Sequence, residues 1–502
     1  MRVKLVLRIT SSLVLLLSIS LMVFAKIDYN ILDYNAIGDG VTNNRMAIQS
    51  AIDDAAEAGG GRVIVPAGKY LTGGIEMRDN IIFELQGGAT LLGTNQLEAY
   101  AAHEGFDQHG NPIQRRYLVS VTDVKNVLIE GKGTIDGQGQ FYWETPDSLP
   151  PHWIKAITPR PNALIEVADS ENITIRDITL TNSPNWTCHI LHSQDVVVDG
   201  IRIINDLFAP NADGIDITGS HRVRVTNCDI TTCDDAIVLK TWKNGQPCED
   251  ITVTNCTLET LCAALKLGTE SYADYRRITF SNCAVRAASR LFAIYVRDGG
   301  TVEDVSVSNI VGSTKAPLVL NRPIQMMITK RNENSKLGQI RNVMIDQIIC
   351  KTDGRLLITA DDGSSIDNLS ISKLHLDYPF IEDPVTVGKD IKSGQFPLEQ
   401  QHLIQKEAAV VLKNLNNFQL SGLTITWPGS AVPTNWQIPV RLINGDFNLK
   451  FEHDYTSPRQ TELMVIYGEN LQGGMLNNPL AESSAGKLQK YKLLDSSIKK
   501  IE

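Results

Sequence analysis

Cysteine is sparse in this chain and absent from its first 187 residues. The eight that occur are Cys188, Cys228, Cys233, Cys248, Cys256, Cys262, Cys283 and Cys350. No spacing among them resembles a zinc-ligand set, which excludes a structural zinc module. Export would permit disulfides. Yet Cys228, Cys256 and Cys283 each follow an asparagine, at steps of 28 and 27. That regularity reads as a stack of small buried residues rather than bridge partners or ligands. Positive charge is also in deficit. Lys and Arg number 47 against 57 Asp and Glu, a formal net charge of −10 with no long basic stripe. Nucleic acid is therefore not an expected partner. An acidic polymer would meet a slightly repulsive global field, so local cations would have to bind it.

Long apolar runs are lacking except at the start. Arg2, Lys4 and Arg8 precede an apolar run from Leu13 to Phe24, broken by Ser18 and Ser20, and Val23-Phe24-Ala25 fits a small-residue cleavage site. The run is short for a membrane span. Residues 1–25 read as a cleavable signal, and the mature chain as secreted or periplasmic with no membrane partner. No cysteine near the cleavage site marks a lipoprotein. Nothing in the sequence specifies an oligomeric state.

What the chain has in quantity is repetition. Short β-rich segments recur, among them Asn172-Ile173-Thr174-Ile175, Asp195-Val196-Val197-Val198, Arg222-Val223-Arg224-Val225, Asp250-Ile251-Thr252-Val253, Arg277-Ile278-Thr279-Phe280 and Asp304-Val305-Ser306-Val307. Their steps are 23, 27, 28, 27 and 27, a period that marks a solenoid. Alternation and β-branched enrichment make the units strands. A leucine-rich repeat would need a leucine consensus, which is absent. The reading is an all-β parallel β-helix.

A second strand set follows the same logic. Gly214-Ile215-Asp216-Ile217, Ala236-Ile237-Val238-Leu239, Ala264-Leu265-Lys266-Leu267 and Ala293-Ile294-Tyr295-Val296 align without gaps. With a strand period of two, Ile215, Ile237, Leu265 and Ile294 face the core. Asp216, Lys240, Lys266, Tyr295 and Arg297 then face outward. On this alignment Lys266 and Tyr295 share one column, and Lys240 and Arg297 the next. Upstream, Asn44 to Ala58 has helical spacing and ends in Gly59-Gly60-Gly61, a short helix capping the open end of the solenoid. The repeat fades beyond Trp427. The β-helix is therefore assigned to residues 26–430, and 431–502 to a C-terminal capping segment with a lysine-rich tail.

The chemistry centres on two acidic segments, Asn211-Ala212-Asp213-Gly214-Ile215-Asp216 and Cys233-Asp234-Asp235-Ala236-Ile237-Val238. Asp213 and Asp235 are 22 residues apart, about one rung, so three carboxylates converge on one face. Converging carboxylates divide into a protonated acid and an ionised base, as glycoside hydrolysis requires. A lone aspartate more often caps a turn; three at this register favour catalysis.

These residues resemble glycoside hydrolase family 28, the polygalacturonases. The resemblance is carried by Asn-x-Asp-Gly followed one coil later by Asp-Asp. It extends through Gly38-Asp39-Gly40, Gly131-Lys132-Gly133-Thr134-Ile135-Asp136-Gly137, Arg160-Pro161, Asn182-Ser183-Pro184-Asn185-Trp186 and His189, covering about residues 33 to 320. It implies a right-handed, single-stranded parallel β-helix. It implies inverting hydrolysis of α-galacturonide bonds in pectic polysaccharide, with no metal or cofactor. Asp234 falls where the family has its general acid, and Asp213 and Asp235 where it has the pair that activates water. His189 and Asn211 are placed with the substrate-binding residues.

Two family positions differ. Cys262-Ala263-Ala264 stands where Gly-His-Gly is usual, and Tyr295-Val296-Arg297 where Arg-Ile-Lys grips the galacturonate carboxylate. Lys240, Lys266 and Arg297 are the replacement cations, with Tyr295 beside them; the other reading of these lysines is ion pairing with Asp216, Asp235 and Glu270. A rhamnogalacturonan or rhamnoside-type hydrolase is the alternative within the family. A β-helix lyase and a non-catalytic glycan-binding solenoid are the alternatives outside it. The insertion Thr94–Arg116, with Trp143–Arg160, is read as walling the cleft and favouring exo-action.

Overall fold

The computed structural model describes residues 28–145, 154–315, 321–379, 408–428, 438–450, 466–477, 491–496 and 500–501. The signal segment lies outside these. The fold is a right-handed parallel β-helix, as the repeat implies. Each central rung carries three strands, such as Trp186–Leu191, Gln194–Asp199 and Arg202–Ile204, and each strand pairs in parallel with the rung before and after. The spacing in the sequence is the register in space: Ile173 pairs with Val196, Val196 with Val223, and Ile278 with Val305. These side chains are fully buried in one continuous core. Each contributes about 1.5–3 kcal/mol when removed from water.

The asparagines that open or close the repeats have a physical role. Asn227, Asn255, Asn282 and Asn309 adopt positive φ between 54° and 57°. Asparagine tolerates that conformation better than other side chains with a Cβ. Neighbours are joined by amide contacts, Asn309 Nδ2 to Asn282 Oδ1 at 3.1 Å among them. The adjoining Cys228, Cys256 and Cys283 are buried, and all eight cysteines are free.

Helix α1 (Arg45–Glu57) buries Ile48, Ala51, Ile52 and Ala55 and covers the N-terminal end. No helix among the described residues is long and apolar enough to cross a membrane. The C-terminal boundary differs from the sequence reading. Strands Ala408–Thr426, Ile438–Lys450 and Ile466–Asn477 continue the parallel stack past residue 430. Longer inter-strand segments there break the regular period, which is why the repeat fades in sequence while the coil persists. Most of the lysine-rich tail lies outside the described residues.

Candidate active site

Five stacked strands carry the site: β1 (Trp186–Leu191), β2 (Ile215–Thr218), β3 (Ile237–Thr241), β4 (Ala263–Ser271) and β5 (Arg290–Val296). Ile215 pairs with Ile237, so Asp213 and Asp235, each two residues upstream, stand on successive rungs. Gly214 makes that approach possible. Its N–H donates to the Asp235 carbonyl oxygen at 2.9 Å, and a Cβ there would sit 2.3 Å from the Ala236 carbonyl oxygen. Asp234 occupies the turn before β3 and is half-buried, and its Oδ1 accepts the Asp235 N–H at 3.0 Å. The three carboxylates line one cavity of about 290 Å³, together with Trp186, Lys240, Lys266, Tyr295 and Arg297.

Both lysines are committed to these carboxylates. Lys266 Nζ donates to Asp235 Oδ2 at 2.6 Å, while Asp235 Oδ1 takes the Ala263 N–H at 3.2 Å. Lys240 Nζ lies 3.0 Å from Asp213 Oδ2, bonds to Asp216 Oδ1, and sits 4.0 Å from the centre of a Trp186 ring. An oxygen each of Asp234 and Asp235 and the Cys262 sulfur lie within 4.8 Å of one another. A cation placed among them would face the Lys266 ammonium, which already supplies the positive charge.

The environments separate the acids. Burial, then the Asp235 charge, push Asp234 above the ordinary carboxylate range. Burial acts on Asp235 too, but Lys266 and Lys240 outweigh it and hold its pKa below the ordinary value. Burial drives Asp213 well up against the pull of Lys240, and takes Asp216 to about 7. One ammonium between two buried carboxylates leaves a charge uncompensated, so Asp213 and Asp216 together favour keeping a proton.

Three expectations need correction or narrowing. His189 does not face the cleft; it is fully buried. Its Nδ1 lies 2.9 Å from Glu166 and its Nε2 2.9 Å from Thr218, and its ring packs against Trp186 and Trp242. Arg115, from the inserted segment, covers it and pairs with Glu166 at 3.1 Å. The alignment of β5 slips by two residues. Lys266 pairs with Ala293, not Tyr295, because Leu265 pairs with Phe292. Tyr295 therefore stands one column further along, with Lys240 rather than Lys266, and its hydroxyl donates to Gln325 at 2.8 Å. A two-residue slip keeps every side chain on its face, so alternation in sequence does not reveal it. Of the proposed cationic patch, Arg297 is left: it lines the cavity, and its Nε is buried without a hydrogen-bond partner among the described residues.

Asn211 is exposed at the mouth and is held by Arg160, which donates to its Oδ1 at 3.2 Å, to Asn185 Oδ1 at 3.0 Å and to the Pro184 and Pro210 carbonyls. Sequence reasoning missed Arg290, which pairs in register with Ala263 and lines the cavity. Its signal was a lone charge leading an apolar run, Leu291 to Ile294. Gln108 was missed as well. Strands His103–Phe106 and Pro112–Arg115 form an antiparallel hairpin whose tip carries it into the cavity. The tip is pinned by His109 Nδ1 to the Tyr272 hydroxyl at 3.1 Å and by the Lys243 N–H to the Gln108 carbonyl at 3.3 Å. The hairpin thus spans from the rung of Tyr117 to that of Lys243, four rungs or about 19 Å at ~4.8 Å each, and walls one flank.

The family model described as glycosyl hydrolases family 28 matches residues 59–394. A probable polygalacturonase of Vitis vinifera is 29% identical over 303 residues, covering 57% of this chain and 60% of that protein. An exo-poly-alpha-D-galacturonosidase of Dickeya chrysanthemi is 30% identical over 253 residues, 41% of each chain. The chain thus spans less than two thirds of these curated relatives' length. In fold it is similar to a hyperthermoactive exopolygalacturonase from Thermotoga maritima, with TM-score 0.64 and 20% identity over 80% of this chain and 92% of that one. It is also similar to a family 28 exopolygalacturonase of Yersinia enterocolitica, with TM-score 0.66 and 19% identity over 86% and 79%.

Proposed function

Because the chain belongs to glycoside hydrolase family 28, we propose that it cleaves α-linked galacturonide bonds in pectic polysaccharide with inversion. The observation that carries this reading is the stack of Asp213 and Asp235 with Asp234 at their turn, three carboxylates in one cavity with unlike environments. Asp234, which favours its proton, is the general acid and protonates the leaving oxygen. Asp235, held ionised by Lys266, accepts the proton of the attacking water, and Asp213 orients that water from the neighbouring rung. Inverting sites hold acid and base about 6.5–9.5 Å apart so that water fits between them.

Arg297 binds the uronate carboxylate at the cleavage subsite, and Asn211, Tyr295 and Gln108 line the sugar path. The hairpin wall supports exo-action, because a flanked pocket favours chain ends over chain middles. The charged and apolar pattern of residues 1–25 supports export. A rhamnogalacturonan substrate is the second reading, favoured by the commitment of both lysines to aspartates, which leaves fewer cations for a uronate.

The test is to incubate the protein with polygalacturonan and with rhamnogalacturonan oligomers and to identify released sugars by mass. Free galacturonate from the first supports the reading. No product from either, with Asp234 intact, overturns it. An unsaturated, ultraviolet-absorbing product end would identify a lyase instead.

A further inference from the structure

We infer that Lys266 and Lys240 are positioning residues that fix which of the clustered aspartates carries negative charge, and that neither receives the substrate carboxylate. The inference rests on the hydrolase reading above. Both side chains are buried, at 9% and 6% exposure, against carboxylates exposed by 4% or less. Moving either ammonium to a substrate would leave a buried aspartate uncompensated, a severe penalty in a site of this depth.

The two lysines do different work. Lys266 serves one carboxylate, and the second Asp235 oxygen takes a backbone N–H, so this aspartate is satisfied as an anion. Lys240 divides itself between Asp213 and Asp216, and Asp216 Oδ2 is buried with no hydrogen bond among the described residues. That pair is satisfied as one anion and one acid. The charged and titratable groups facing Asp235 are Asp234 from its own turn, Lys240 from β3, and Cys262 and Lys266 from the rung of β4. Arg290 and Tyr295 face it from β5, and Asp213 and Asp216 from the rung of β2. Lys266 is the cation in direct contact. The neutralised charge also explains how a site with an intact aspartate trio accommodates two lysines where the substrate is an anion: the lysines' charge is already spent on the protein.

The test uses Lys266→Gln and Lys266→Arg in the full chain, with kcat/KM for a short oligogalacturonide measured across pH. Loss of the ammonium raises the Asp235 pKa, so the acidic limb, where activity falls as the base takes a proton, moves to higher pH. We expect a shift of about one unit or more for Lys266→Gln, since each unit is a tenfold change in the ionised fraction. Lys266→Arg restores the limb, and KM at the new optimum changes by less than about threefold. An unmoved limb with KM raised about tenfold overturns the inference and makes Lys266 a uronate ligand. A second readout needs no turnover. With Asp235 unpaired, the folded variant prefers the protonated acid, so its Tm deficit against wild type is larger at about pH 7 than at about pH 4. Equal deficits overturn the inference. If wild type cleaves no galacturonide, the hydrolase reading fails by itself and the Tm comparison still decides the role of Lys266.

Discussion

Asp213 and Asp235 occupy neighbouring rungs of one column, tied by the Gly214 N–H that donates to the Asp235 carbonyl oxygen at 2.9 Å. The backbone ladder that holds the β-helix together therefore also sets the spacing of the two carboxylates. Stability and catalysis meet in one glycine. Gly214→Ala brings a methyl group within 2.3 Å of the Ala236 carbonyl oxygen. The rungs must part, at a cost of about 1–3 kcal/mol. Thermal unfolding should show a lowered Tm, and turnover should fall with it because the carboxylates separate.

Asp216 gives the fold a pH signature. Burial takes its pKa to about 7 from an ordinary 3.8. The native state thus holds a proton that the unfolded chain releases across that interval, and stability falls as pH rises through it. Asp216→Asn removes this term while keeping an acceptor for Lys240. Its Tm should match wild type near pH 4 and exceed it near pH 8, where Asp216 is charged. A Tm difference independent of pH would contradict the assignment.

Arg297 is the cation in the cavity with a buried Nε that has no hydrogen-bond partner among the described residues. Arg297→Gln removes a charge-assisted contact worth about 1.5–3 kcal/mol to a carboxylate. KM for oligogalacturonides should rise by about tenfold or more, with Tm little changed. Unaltered kinetics on uronides would show that the carboxylate is read elsewhere, with Arg290 the next candidate.

The hairpin tests the mode of attack. Replacing residues 104–114 by a short turn removes the wall that carries Gln108, while keeping Arg115 against Glu166 and His189. On long polygalacturonan the variant should give early loss of viscosity and mixed oligomers in place of single galacturonate units. An unchanged product pattern would place the exo determinant in another segment.

Much of this was legible in the sequence, for a physical reason. A solenoid repeats its register, so steps of 23, 27 and 28 residues between strands translate directly into Ile173 on Val196, Val196 on Val223 and the rungs beyond. The same arithmetic stacked Asp213 on Asp235. What stayed hidden obeys no period. Tyr295 sits two residues out of the expected register, a slip that alternation cannot detect. His189 lies on an outward position, yet Arg115 and Trp242 arrive from distant segments to bury it. Lys240 and Lys266 were visible as outward cations, with ion pairing as one of two readings, but their contacts depend on side-chain reach that spacing does not encode. Past residue 430 the coil continues on strands separated by irregular segments, and no repeat announces it.

The stereochemistry of the first product tests the central claim most directly. Wild type mixed with a short α-galacturonide should be followed by proton NMR in the first minutes, before mutarotation. Attack of water opposite the leaving group predicts that β-galacturonate appears first and equilibrates to the mixture. Asp234→Asn should lower the rate by about 10²–10⁴-fold, the usual contribution of general acid catalysis. Initial release of the α-anomer would contradict the account, because it would require a covalent intermediate on one of the three aspartates.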